Sequence, residues 1–91
     1  MSRRIKYKVT GSVQGVNFRY YTAREANKIG VTGFVQNDDD GSVSGEAQGD
    51  DQALKQFLEI VKKGPPAADV SDVTKSDIDS KEGESKFNQT R

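Results

Sequence analysis

The apolar residues of this chain switch repeatedly between a period of two and a period near 3.6, and that succession restricts the folds open to it. Ile5, Tyr7, Val9, Gly11 and Val13 alternate with polar residues, as in a half-buried strand. Phe18, Thr22, Ala26 and Ile29 then fall at a helical repeat, and Gly30 supplies a stop. Val31, Gly33 and Val35 return to alternation, Asp40-Gly41 signals a hairpin, and Val43, Gly45 and Ala47 line one face of the returning strand. Asp50 is placed to cap a second helix, in which Leu54, Phe57, Leu58 and Val61 follow the i, i+3, i+4, i+7 rule, and Gly64-Pro65-Pro66 ends it. Val70, Val73 and Ile78 suggest a further strand, Lys81-Glu82-Gly83 a polar turn, and Phe87 a short last strand whose end is expected to fray.

Strand, helix, strand, strand, helix, strand, with one strand added, is the split βαβ order. It predicts an α+β, ferredoxin-like sandwich: an antiparallel sheet of four to five strands with two helices on one face and right-handed crossovers. Ninety-one residues leave room for one domain, spanning 1–91. A chain this short hides only about 60–65% of its unfolded surface, so every element must give a face to one core. Gly33 and Gly45 fall mid-strand, where glycine marks close approach by another element.

The 14 basic and 14 acidic residues cancel, so there is no basic excess to hold a nucleic acid. Cysteine and histidine are both absent, which removes their nucleophiles, Cys/His zinc sites and disulfides. Met1-Ser2-Arg3-Arg4-Ile5-Lys6 is not followed by a signal-like apolar region, and no apolar run reaches membrane-spanning length. The expectation is a soluble, cytoplasmic protein with no membrane partner.

The connection between the first strand and first helix carries the chemistry. In Gly11-Ser12-Val13-Gln14-Gly15-Val16-Asn17-Phe18-Arg19, successive amides and the first amides of the helix can converge on an anion. Arg19 adds a planar, forked donor matched to phosphate oxygens. The loop is neither a Walker A nor a GxGxxG sequence, and Gly15 taken alone marks only a turn. A cation in the first helical turn is disfavoured by about 0.3–1 kcal/mol, a penalty that a bound anion reverses. Asp38-Asp39-Asp40 invites a magnesium site, but three consecutive residues on a tight turn diverge, and a solvated hairpin is the better reading. Asn37 taken alone reads as a turn residue. Tyr20 and Tyr21 suit helix packing, or stacking on a base or an acyl group.

The same residues resemble the acylphosphatase family. Gly11 to Arg19 is similar to its first signature, and Gly33-Phe34-Val35-Gln36-Asn37 followed by Asp40-Gly41-Ser42-Val43 to its second. The resemblance runs on through Gly49, the second helix and Gly64-Pro65. It implies hydrolysis of acyl phosphates to a carboxylate and inorganic phosphate, without metal or cofactor. It also implies that phosphate is bound by Gln14, Gly15, Val16, Asn17, Phe18 and Arg19, and that Asn37 orients the attacking water. The partners expected are a small acyl phosphate and inorganic phosphate, the latter as product and competitive inhibitor of a monomer. Phe34 stands where tryptophan is common, and Lys75 where an apolar strand residue is usual. A catalytically silent, ferredoxin-like anion-binding or interaction domain remains the alternative.

Overall fold

In the computed structural model, which describes residues 2–90, the first alternation becomes β1 (Arg3–Ser12) and the first helical repeat α1 (Phe18–Lys28). The hairpin is β2 (Thr32–Asn37) and β3 (Val43–Gly49), followed by α2 (Asp51–Lys63), β4 (Asp69–Ile78) and β5 (Phe87–Gln89). Gly64, at φ 67°, closes α2, and the hairpin turn is held by Asp38 N–H donating to the Ser42 carbonyl at 2.9 Å. The strands form one sheet in the order β4-β1-β3-β2-β5.

The apolar residues of one sheet face meet the helices in a single cluster. Ile5, Tyr7 and Val9 of β1, Val35 of β2 and Val43 and Ala47 of β3 pack with Phe18 and Ala26 of α1 and Leu54, Phe57 and Val61 of α2. The Tyr7 ring meets Phe57 edge-on, with centroids 5.0 Å apart. Its hydroxyl donates to the Phe34 carbonyl at 2.8 Å. Tyr7 faces Gly45 in the β1–β3 register, and a Cβ on Gly45 would stand 2.7 Å from that hydroxyl and 2.0 Å from the Phe34 oxygen. The close approach expected at the mid-strand glycines is therefore, at Gly45, a tyrosine passing across β3, and at Gly33 the β3 backbone around the Glu46 carbonyl. Burial holds the Tyr7 phenol protonated well above its usual range, with the nearby Asp38 charge adding to the effect.

One feature departs from the antiparallel sheet expected: β5 runs parallel to β2, so the sheet is mixed. The cause is the route of residues 79–86. β4 and β5 occupy opposite edges of the sheet, so the chain must cross from one edge to the other before Phe87. Arg4 fixes that crossing. It is 2% exposed, its Nε donates to Glu46 at 2.7 Å, and its Nη1 donates to Glu84 at 2.8 Å. At the far side Asn27 of α1 clamps Phe87 through both backbone groups, at 2.9 and 3.1 Å. Fraying is not seen as far as Thr90, whose N–H donates to the Val35 carbonyl at 2.8 Å, while Arg91 lies outside the described residues. Lys75 is exposed because β4 is an edge strand, with only Val70 and Val73 packed against the core.

Arg4 donates to the Glu84 carboxylate and holds it below its ordinary value, outweighing burial, with Thr32 adding a further hydrogen bond. Glu84→Gln should therefore lower the unfolding free energy near neutrality by about 1–3 kcal/mol. A carboxyl whose folded value lies below the unfolded 4.5 stabilises fully above pH 4.5 and loses that contribution as pH falls through the folded value. Urea unfolding of both proteins at about pH 7, 4.5 and 3 should show their difference closing at the acid end. A gap that persists there would show that the Arg4–Glu84 pair is not what holds the crossing of residues 79–86.

Candidate active site

β1 passes into α1 through residues 13–17, and two left-handed positions make the reversal: Gly15 at φ 75° and Asn17 at φ 63°. Glycine takes this conformation freely, and asparagine is among the few other residues that tolerate it. Asn17 is the N-cap of α1, yet its side chain caps nothing and no acidic residue stands in the first turn. Among the described residues, no amide from Gln14 to Arg19 donates to a protein acceptor. α2 is the opposite case. Asp50 accepts from Ala53 N–H at 2.8 Å, and Asp51 adds negative charge to the first turn. The second helix has a side-chain cap and an acidic first turn, whereas the first has neither and leaves the positive end of its dipole uncompensated.

Beside this N-terminus lies a cavity of about 200 Å³ lined by Val13, Gly15, Asn17, Phe18, Arg19, Tyr20, Asn37 and Gln89. Arg19 is half-buried there, and its Nη1 donates to the Thr90 carbonyl at 2.9 Å, which orients the guanidinium. Asn37 arrives from the other side as the last residue of β2. The seven residues singled out in the sequence thus divide: Gly15, Asn17, Phe18, Arg19 and Asn37 line this cavity, and Gln14 and Val16 do not. Val16 packs partly against the core. Gln14 Nε2 donates to the carbonyls of Asp38 and Ser42, at 2.7 and 2.8 Å. That side chain ties the loop to the hairpin that carries Asn37. Thr90 and Gln89 escaped sequence reasoning: Thr90 acts through a backbone carbonyl, and Gln89 ends β5, a strand whose neighbour was not foreseen.

Asp38 and Asp40 are both held by neighbouring side chains. Lys8 Nζ donates to Asp40 at 2.8 Å, Ser42 adds its hydroxyl and amide, and together these hold the Asp40 carboxyl far below its usual range. Burial pushes Asp38 up, but hydrogen bonds from Ser44, Ser42 and Gln36 outweigh it and leave the carboxyl lowered. Among the described residues no group of three or more acidic side chains is arranged to hold a metal ion. Among the described residues no helix is long and apolar enough to cross a membrane.

Fold and site together define a small ferredoxin-like α+β protein with an uncapped helix N-terminus at its first crossover. The family model described as Acylphosphatase matches residues 5–89. The acylphosphatase of Thermotoga maritima is 56% identical over 70 residues, which cover 77% of this chain and 78% of that protein. That of Bacillus licheniformis is 46% identical over 80 residues, 88% of this chain and 89% of the relative. The crystal structure of the Bacillus subtilis acylphosphatase superposes with a TM-score of 0.92 at 40% identity, covering 100% of both chains. The chain belongs to the acylphosphatase family, and its reaction is the hydrolysis of acyl phosphates.

The two Gln14 bonds join the loop to the turn that follows Asn37, so they should hold the spacing between the loop and Asn37. Gln14→Glu places a carboxylate against two carbonyl oxygens and should lower kcat/KM by about 10- to 100-fold through displacement of the two halves. Gln14→Met, which loses the bonds without repulsion, should lose less. Equal activity in both variants and the wild type would show that the tether does not set the spacing.

Proposed function

We propose that the protein hydrolyses acyl phosphates at the Arg19–Asn37 cavity, as a cytoplasmic monomer that uses no metal. The observation that carries this reading is the uncapped N-terminus of α1 facing Asn37 across one small cavity. An acyl phosphate is a mixed anhydride with a good carboxylate leaving group, so a strong nucleophile is not required. The amides of Gly15 and of Asn17 to Arg19, with the Arg19 fork, hold the phosphoryl oxygens and take up the charge that develops on them. Asn37 accepts a hydrogen bond from a water through its amide oxygen and holds that water in line with the P–O bond to the acyl group. Water oxygen bonds to phosphorus as that bond breaks, and the electron pair leaves on the carboxylate. The chain has no histidine to act as base. A phosphoryl oxygen takes the water's proton, and dihydrogen phosphate and a carboxylate result.

Binding and chemistry should separate by mutation. Asn37→Ala should lower kcat by about 10²–10³-fold with little change in phosphate affinity. Arg19→Lys keeps the charge but loses the fork, so substrate and phosphate should both bind more weakly, and Arg19→Ala should abolish binding. Steady-state kinetics with phosphate titrations checks this, with thermal melts to establish that each variant is folded. Normal turnover with a lowered melting temperature in Asn37→Ala would leave Asn37 a turn residue only.

Inorganic phosphate should inhibit competitively and stabilise the fold, by about 2.7 kcal/mol at 100 times its Kd. Turnover should persist in excess EDTA. Loss of activity in chelator that magnesium restores would return the Asp38-Asp39-Asp40 turn to consideration.

A further inference from the structure

The cavity of about 200 Å³ is smaller than the clefts of about 300–1,000 Å³ that enclose whole organic ligands. With the phosphoryl group and its water inside, the acyl half of the substrate lies at the rim. Most of the lining offers it nothing apolar. Val13 and Phe18 belong to the core, at 1% and 2% exposure, and Gly15, Asn17, Arg19, Asn37 and Gln89 present backbone or polar groups. Tyr20 is the exception. It is 55% exposed, the one large hydrophobic side chain so exposed among the described residues, and it follows Arg19 directly in the first turn of α1. The helix packing expected for Tyr20 from the sequence is not what the structure gives it.

The ring is also supported. Arg24, one helical turn onward, sets its guanidinium carbon 5.7 Å from the ring centroid, a cation–π distance, and donates to Glu25 at 3.1 Å. A cation covers one face of the ring and leaves the other for an apolar or aromatic group.

From this we infer that Tyr20 is a specificity residue: it receives the acyl substituent at the cavity rim and favours acyl phosphates with an aromatic acyl group over those with a small one. The inference rests on the phosphoryl group lying in the Arg19–Asn37 cavity. The contact is remote from the reacting bond and no charge changes there during the reaction. It therefore contributes equally to ground state and transition state and is read in KM, not in kcat. An aromatic pair of this kind corresponds to roughly a 2- to 10-fold effect on affinity.

The test measures kcat and KM for benzoyl phosphate and acetyl phosphate in the wild type, Tyr20→Ala, Tyr20→Phe and Arg19→Ala. In Tyr20→Ala the ratio of the KM for benzoyl phosphate to that for acetyl phosphate should rise by roughly 2- to 10-fold, carried by KM, and Tyr20→Phe should restore it. An unchanged ratio in Tyr20→Ala, with Arg19→Ala inactive on both substrates, overturns the role of Tyr20 and leaves the cavity standing. Undiminished turnover in Arg19→Ala removes the cavity, and the rim contact falls with it. A change confined to kcat would also overturn the proposal.

Discussion

The two halves of the site are carried by strands that do not touch. β1 leads into the loop before α1 and β2 ends at Asn37, with β3 between them, so the centres of β1 and β2 lie about 10 Å apart. The Tyr7 hydroxyl spans that gap to the Phe34 carbonyl, over the one position in β3 where a side chain would block it. Its ring is locked against Phe57 of α2, so the link is rigid as well as buried. Gln14 makes a second link nearer the cavity. The two strands are thus joined by a phenol that acts across β3, a strand that supplies no lining residue, and by an amide that reaches the β2–β3 turn.

The two helices illustrate how a fold divides stability from reactivity. α2 carries a capping aspartate, an acidic first turn, a basic last turn and an apolar face of Leu54, Phe57 and Val61. α1 has none of the N-terminal features and places Arg19 where the dipole opposes it. Capping α1 as α2 is capped would contribute about 1 kcal/mol to stability and would consume the donors that make the loop useful. A side chain at Asn17 reaching back to the first amides would compete with any anion for the same hydrogens.

Most of the architecture follows from local pattern. The alternation from Ile5 to Val13, the repeat Leu54–Phe57–Val61, the cap at Asp50 and the turn at Asp40-Gly41 each act within a few residues, and each element formed where its period placed it. The direction of β5 was not legible, because it is set by Arg4 and Glu84, 80 positions apart, and by Asn27 with Phe87, 60 apart. The partner of Arg19 was hidden for a different reason: a backbone carbonyl such as Thr90's has no side-chain signature. At the site itself, residue pattern located the turn and the arginine, while the tasks assigned to Arg19 and Asn37 came with the family resemblance. Gln14 was placed in the right loop, but its amide serves the hairpin and not the cavity.

The strand order also has a consequence for the chain as it is made. β1 is flanked by β3 and β4, and its second neighbour lies almost 60 residues downstream, from Ser12 to Asp69. At ribosomal rates of about 5–20 residues per second, β1 waits roughly 3–12 seconds with an unpaired side. During that interval its outward residues Arg3, Lys6 and Lys8 are positive charges, the kind of side chain that discourages pairing with a stray strand. Arg4 shares this role until Glu46 and then Glu84 are synthesised and draw it into the interior. The same arginine that guards an open strand in the nascent chain becomes the buried clasp of the finished one.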